Sequence, residues 1–420
     1  MGKYVVAGGK RLDGEANIHG AKNAVLPILA AAVLTGAQSV IRNCPDISDT
    51  RCSIKILRHL GCSVDYDGST LVVNSAGVNK TTLPCEAVSK MRSSIIFAGA
   101  LLGRFGEVDS AFPGGCLLGD RPIDLHLQGF RKMGVAFEDS PDRITGKANK
   151  LQGTRIDLTF PSVGATQNIM LAGVLAEGTT IITGAAKEPE IVDLQGFLRS
   201  AGANVSGAGT STIVIDGVKS LRPAQYTIMP DRIVAGTYLA AGAITHGYIR
   251  LNNINRLDIY PATRVLADMG VDLWSEGSAL VLKADKNLSP VPLLKTKPHP
   301  GFPTDLQAQF TALLATVKGR SVVEENLFEA RHAHIAELAK MGADIKVEGD
   351  SRFIINGVSR LHGAEVAAKD LRGGAALILA GLSAEGITTV GNACYVQRGY
   401  VDIVADIQSL GGDIKFISSE

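Results

Sequence analysis

One phrase recurs six times along this chain and limits its possible folds more than any other feature. A helix ends at a glycine and a strand follows: ILRHLGCSV, GFRKMGVAF, FLRSAGANV, VLADMGVDL, ELAKMGADI and DIQSLGGDI, with the glycines at Gly61, Gly134, Gly202, Gly270, Gly342 and Gly411. Steps of about seventy residues separate them, the mark of a repeated supersecondary unit. A second series shares the period: LAAAVLTG, ALLGRFG, LAGVLAEG, LAAGAITHG, ALLATVKG and LAGLSAEG, ending at Gly36, Gly106, Gly178, Gly247, Gly319 and Gly386. Each glycine suits a helix end in the left-handed conformation that a Cβ disfavours. Helices of the second series are apolar nearly all round, which predicts burial, whereas those of the first are amphipathic and are expected outside. Turns such as YDGS, GAGTS, SEGS and EGDS join the last two strands of a unit. An open solenoid needs atypical, polar end units. None is evident, so closed or paired assemblies of three units each are expected.

Charge and composition exclude several partners. The chain carries 42 Lys+Arg against 41 Asp+Glu, a net charge of +1, so it has no global field for nucleic acid or an acidic membrane. Aromatic residues make up 5%, with one Trp, which disfavours a stacking platform for single strands. The apolar stretch AVLPILAAAVL is too short to span a bilayer. The six cysteines (Cys44, Cys52, Cys62, Cys85, Cys116 and Cys394) form no C-x-x-C pair, and the opening MGKYVVAGGKRLDG has no signal-peptide pattern. Reduced thiols and a cytoplasmic location are expected.

The starts of the buried helices carry the functional signal. One fixed step back from their terminal glycines lie Lys22, Arg92, Gly164, Ile233, Asp305 and Arg372, with Arg232 beside the fourth. An Asp there can cap the helix. A Lys or Arg is wrong for that task, because its charge opposes the positive helix end. Its plain reading is a solvated first turn; its functional reading is an anion site built from free N–H groups and added cations. Arg121, Arg331 and Arg398 add cations in turn settings, so the implied ligand has several phosphate or carboxylate groups.

Three loops extend this reading. PGGCLLGDRP holds Cys116 near Arg121, a setting for either an activated thiol or an inert one. FPSVGAT opens a helix and suits backbone contacts to a phosphate, or simply a cap at Ser162. PHPGFPTDLQAQF fixes Asp305 behind three prolines, where it can act as a general base. Glu329, His332 and His334 make a weak metal pattern that nothing else supports.

Taken together, GAKNAVLP (Gly20–Pro27), KMRSSI (around Arg92), PGGCLLGDRPIDLH (Cys116), FPSVGAT (Ser162), AKEPEIVDL (Glu190), MPDRI (Arg232), PHPGFPTDLQAQ (Asp305), DLRGGAALI (Arg372) and RGY (Arg398) resemble the UDP-N-acetylglucosamine enolpyruvyltransferases, the 1-carboxyvinyltransferases of peptidoglycan synthesis. The resemblance covers essentially the whole chain. It implies an α/β fold of two inverse α/β barrels, each of three βαβαββ repeats. One domain would span 22–229 and carry the Cys116 loop, the other would combine 1–21 with 230–420, and the active site would lie in the cleft between them.

The resemblance further implies transfer of the enolpyruvyl group of phosphoenolpyruvate to the 3′-hydroxyl of UDP-N-acetylglucosamine, with phosphate released through a tetrahedral intermediate. This step serves the cell wall, and through it cell shape and division. Lys22, Asn23, Arg121, Arg372 and Arg398 would hold phosphoenolpyruvate. Arg92, Arg121, Pro122, Ile123, Asp124, Leu125, Phe160, Pro161, Ser162, Val163, Asp305 and Leu327 would line the nucleotide-sugar site. Cys116 would protonate the methylene carbon, form a pyruvate adduct and be alkylated by fosfomycin. Asp305 would take the hydroxyl proton, with Lys22 and Arg398 completing the catalytic set. No metal or organic cofactor is implied.

Two stretches depart from the family. EARHAH stands where ENRFMH is usual, so Ala330, His332 and Ala333 flank Arg331, and Tyr395-Val396-Gln397-Arg398-Gly399-Tyr400 lacks the acid that usually precedes the Arg. These changes keep open a catalytically weak paralogue that binds the nucleotide sugar and regulates a protein partner. The shikimate-pathway enolpyruvyltransferase shares the fold, but the Cys-bearing loop and FPSVGAT argue against it.

Overall fold

Glycines that stop helices set the rhythm of the structure. The computed structural model describes residues 2–114, 123–138, 140 and 142–418. Gly61, Gly134, Gly202, Gly270, Gly342 and Gly411 all follow an amphipathic helix with positive φ, between 88° and 108°. In the second series Gly36 and Gly106 end their helices in the same way, whereas Gly178 and Gly386, also with positive φ, stand just before the strand that follows the helix, and Gly319, with φ 118°, is the first residue of strand Gly319–Glu324. At the fourth position His246, with φ 51°, takes the left-handed conformation in place of Gly247.

The chain divides into two compact units, residues 2–19 with 230–418, and residues 20–114 with 123–229. In the second of these, three buried helices, Lys22–Leu34, Ile96–Phe105 and Val163–Gly173, pack on one another. Three sheets accompany them. Their strand orders are Ala224–Thr227, Gln38–Arg42, Leu71–Asn74, Ser63–Tyr66; then Glu107–Ala111, Arg143–Lys147, Ala136–Phe137; then Asn204–Ser206, Thr212–Asp216, Thr179–Thr183, Arg155–Asp157. The unit of residues 2–19 and 230–418 repeats the plan with helices Arg232–Ile244, Gln307–Leu314 and Leu371–Ser383, and three four-stranded sheets. Helices lie inside and sheets outside, an inverse α/β barrel in each unit, and none of the sheets closes on itself.

Hydrophobic burial explains the inside helices. Every residue of Arg232–Ile244 is buried, as is every residue of Lys22–Leu34 except Asn23. A side chain such as Leu29, with no exposure, contributes about 1.5–3 kcal/mol by leaving water. Small residues let the helices approach: a Cβ on Gly99 would stand 2.3 Å from the Asn168 carbonyl oxygen, and one on Gly103 2.9 Å from that of Leu171. The outer helix Ser48–Leu60 buries only one face, including Ile54, Ile56, Leu57 and Leu60. Among the described residues no helix is long and apolar enough to cross a membrane.

The repeats close in a circle rather than end to end. The first strand of the first repeat comes from the far end of its unit, where Ala224–Thr227 pairs in parallel with Gln38–Arg42. In the other unit, Asp13–Asn17 pairs in parallel with Tyr248–Asn252 and opens the fourth repeat. Lys3–Ala7 lies antiparallel between Ile387–Gly391 and Asp413–Ile417 and completes the sixth. This exchange removes the free ends that a solenoid would have to cap.

Candidate functional site

In the unit of residues 20–229, the predicted residues gather at the N-terminal ends of the buried helices. Lys22 is the first residue of its helix and has no side-chain cap beside it. Its ammonium reaches the Asp49 carboxylate at 2.9 Å, and both side chains are almost entirely buried. That acid, in the first turn of Ser48–Leu60, offsets the unfavourable placing of a cation at a helix start. Arg92 opens the 3-10 turn Arg92–Ile95, and its guanidinium donates to the Pro113 carbonyl at 3.1 Å, next to the segment that leads to Cys116. Ser162 caps Val163–Gly173 by accepting from the Ala165 N–H at 3.3 Å. Phe160 is exposed beside it, while Ile123 is buried ahead of helix Asp124–Lys132, whose first residues are Asp124 and Leu125.

The same end of this unit holds a buried polar cluster. His126 meets Asn168, Nδ1 to Nδ2, at 2.7 Å. Burial, reinforced by the Arg92 charge and opposed by Asp124, pushes the imidazole down to about 4, so it is neutral near pH 7.

In the unit of residues 230–418, the centre is Asp305. It sits in a 3-10 turn, Thr304–Leu306, that leads into helix Gln307–Leu314, and it occupies the cap position of neither, these being Pro303 and Leu306. One oxygen accepts from Arg331 at 2.8 Å and the other from Arg372 at 2.9 Å. Burial opposes ionisation of Asp305, but Arg372 and Arg331 overcome it and hold the carboxyl well below the usual range. The two arginines are 4–5% exposed and the Asp305 side chain 25%, so this is a largely buried charge cluster in which one carboxylate touches two guanidinium groups.

Neighbouring groups fix the clasp. Arg331 also donates to Thr304 Oγ1 at 2.7 Å and lies 5.2 Å from the Phe328 ring centroid. Thr304 in turn donates to Glu325, whose other oxygen accepts from Thr296 and from the Leu327 N–H. Arg372 stands in the first turn of a helix capped by Asp370, and Arg232 in the first turn of one capped by Asp231. In this unit each of these two arginines at a helix mouth therefore has an acid at the cap, whereas Arg92 follows Met91 and has none. Arg398 ends the 3-10 turn Ala393–Arg398 and is half-buried.

The structure thus groups Lys22, Asn23, Arg92, Ile123, Asp124, Leu125 and Phe160–Val163 in one unit, and Asp305, Leu327, Arg372 and Arg398 in the other. Cys116, Arg121 and Pro122 lie outside the described residues. Asp49, His126, Asn168 and Glu325 were not singled out by sequence reasoning. Asp49 left a readable trace: with Ser53, Ile56 and Leu60 it falls on the buried stripe of an amphipathic helix, where an acid is out of place.

Comparison with known proteins fits this architecture. The family model described as EPSP synthase (3-phosphoshikimate 1-carboxyvinyltransferase) matches residues 6–407. Among solved structures, the enolpyruvyl transferase NikO from Streptomyces tendae superposes with a TM-score of 0.89 at 28% identity, covering 100% of this chain and 99% of that one. EPSP synthase from Acinetobacter baumannii, at 20% identity and TM-score 0.74 with both chains fully covered, shares the fold. Fold and site therefore define an enolpyruvyl transferase.

Curated relatives narrow the family. UDP-N-acetylglucosamine 1-carboxyvinyltransferase 2 of Caldanaerobacter subterraneus subsp. tengcongensis is 48% identical, with 99% of each chain covered. The protein of the same name from Carboxydothermus hydrogenoformans is 46% identical, with both chains covered in full. The chain belongs to the UDP-N-acetylglucosamine 1-carboxyvinyltransferase family.

Proposed function

We propose that this chain transfers the enolpyruvyl group of phosphoenolpyruvate to the 3′-hydroxyl of UDP-N-acetylglucosamine and releases phosphate. The observation that carries the reading is Asp305, held between two buried arginines in a chain so similar to relatives named for this activity. In the addition step, the sugar hydroxyl gives its proton to Asp305 while its oxygen bonds to C2 of phosphoenolpyruvate, and Cys116 protonates C3. In the elimination step, C3 loses a proton, the C2–O bond to phosphate breaks, and the enol ether forms. Lys22, Asn23, Arg121, Arg372 and Arg398 hold phosphoenolpyruvate; Arg92, residues 121–125, Phe160–Val163 and Leu327 take the nucleotide sugar.

The clasp gives Asp305 a conditional basicity. While both arginines hold it, it is a weak base. An anionic substrate that engages Arg372 removes part of that stabilisation and raises its affinity for a proton. Basicity thus grows when phosphoenolpyruvate is in place.

Arg331 keeps Asp305 and Thr304 as partners although Ala330, His332 and Ala333 surround it, which favours an active enzyme over a regulatory paralogue. The described cysteines are all free thiols, which supports a cytoplasmic setting. The test is phosphate release. Turnover is expected only with both substrates and is expected to stop after incubation with fosfomycin. Turnover with shikimate 3-phosphate in place of the nucleotide sugar overturns the assignment.

A further inference from the structure

The hydrogen bonds of Asn168 decide where the proton of His126 sits. Asn168 is fully buried on helix Val163–Gly173. Its Oδ1 accepts from the Gly99 N–H at 2.8 Å, and its Nδ2 donates to the Ile95 carbonyl at 3.1 Å. A backbone N–H can only donate and a carbonyl can only accept, so the amide has one orientation. Its Nδ2, not its oxygen, therefore faces His126 Nδ1 at 2.7 Å. An NH₂ group only donates, so Nδ1 accepts and the proton of the neutral ring lies on Nε2.

The position of Nε2 gives this proton a purpose. A Cβ on Gly164 would stand 3.0 Å from Cε1 and 3.2 Å from Nε2 of His126. That edge of the ring lies against the first turn of Val163–Gly173, beside the Ser162 cap, and Nε2 makes no hydrogen bond among the described residues. His126 is 7% exposed as a whole, yet Nε2 is not among the buried polar atoms that lack a partner, so the exposed part of the ring includes this edge and a ligand can reach it.

We infer that Asn168 is a positioning residue that locks His126 as the Nε2–H tautomer, and that this N–H donates to an acceptor oxygen of the bound nucleotide sugar at the mouth of helix Val163–Gly173. The inference rests on the reading that Phe160–Val163 takes the nucleotide sugar. The acceptor is a diphosphate oxygen or a uracil carbonyl, and the two are separable by choice of probe. A neutral donor suits the site because its strength does not change across the pH range in which an ordinary histidine titrates. The charged groups acting on the ring, Arg92 and Asp124, pull in opposite directions.

The test uses the full chain labelled with ¹⁵N-histidine, with calorimetric binding of UDP-N-acetylglucosamine, UDP and uridine. Long-range ¹H–¹⁵N spectra should show His126 as the neutral Nε2–H tautomer down to about pH 5; the Nδ1–H tautomer, or titration near pH 6.5, overturns the inference without requiring any variant to fold. His126→Gln keeps an N–H near the Nε2 position and should bind the nucleotide sugar within about threefold of the parent. His126→Asn, whose amide reaches only the Nδ1 position, should bind about tenfold or more weakly, the scale of a hydrogen bond to a charged acceptor. Loss with UDP but not uridine assigns the diphosphate; loss with both assigns the base.

Asn168→Asp accepts from Nδ1–H, so Nε2 donates only when the ring is protonated. Its affinity for the nucleotide sugar should fall as pH rises from 6 to 8.5, a trend that a purely structural role of Asn168 would not produce. A parent that binds the nucleotide sugar no better than His126→Asn does overturns the inference alone. A parent that does not bind it at all overturns the reading of the loop as well.

Discussion

Asp305→Asn separates the two tasks given to this carboxylate, holding a charge cluster together and accepting a proton. The side chain keeps its shape but loses its charge, and its NH₂ group faces one of two guanidinium groups that are 4–5% exposed. Breaking one buried ion pair costs about 3–5 kcal/mol. The two pairs share one carboxylate, so their costs do not add. For a unit of this size each kcal/mol moves the midpoint about 2–4 °C, so ligand-free protein should unfold roughly 10 °C lower. Loss of a general base should also lower kcat by about 10²–10⁴.

Anions supply the discriminating measurement. Phosphate can replace the missing negative charge between Arg331 and Arg372, so it should raise the midpoint of Asp305→Asn more than that of the parent. The pH dependence has a definite sign. The folded pKa of Asp305 is depressed, so its contribution is complete above the ordinary carboxylate range and is lost as pH falls through the folded value. The gap between parent and variant should therefore narrow in acid. Differential scanning fluorimetry at several phosphate concentrations, beside phosphate-release kinetics, reads all of this. A variant with an unchanged midpoint and turnover within threefold of the parent refutes the charge-cluster argument and the base assignment together.

Asp49→Asn should leave Lys22 without its 2.9 Å counter-ion, lower the thermal midpoint and raise KM for phosphoenolpyruvate more than KM for the nucleotide sugar in steady-state assays. Gly99→Ala should destabilise by about 1–3 kcal/mol in chemical denaturation, because the new methyl meets the Asn168 backbone at 2.3 Å, where no side chain can move aside. Burial holds His126 and His334 at about 4, against an ordinary 6.5. Between those values the unfolded chain takes up protons that the folded chain does not, so stability should fall as pH drops from 6.5 toward 4, and His126→Gln should flatten that slope in urea titrations.

The periodic part of the structure was legible because it is local. A glycine that ends a helix and an apolar run that must be buried are written in a few consecutive residues, so the first series mapped onto helix ends and the apolar runs onto the buried helices, while Gly178, Gly319 and Gly386 of the second series fell at the strand that follows. The cations at the helix mouths were also visible, since charge before an Ala/Gly/Leu run is conspicuous. Their partners were not. Asp49 reaches Lys22 from another helix, Asn168 reaches His126 across 42 positions, and Arg372 reaches Asp305 across 67. No window of sequence contains such pairs. Asp305 itself allowed two readings, cap or base, and only the structure places the cap positions at Pro303 and Leu306 and the carboxylate against Arg331 and Arg372.

The circular exchange of strands also sets an order of assembly during synthesis. The sheet that contains Gln38–Arg42 can be completed once Ala224–Thr227 has left the ribosome, before residues 230–418 have been made. Lys3–Ala7 emerges long before both of its neighbours, Ile387–Gly391 and Asp413–Ile417. Until those two strands are made, this one carries two unsatisfied edges and alternating side chains that the fold buries, Tyr4 and Val6, without their final cover. One unit can therefore mature on the nascent chain, while the other stays open until Asp413–Ile417 has been made, and the interval between the two is when this chain is most exposed to chaperones and to mispairing.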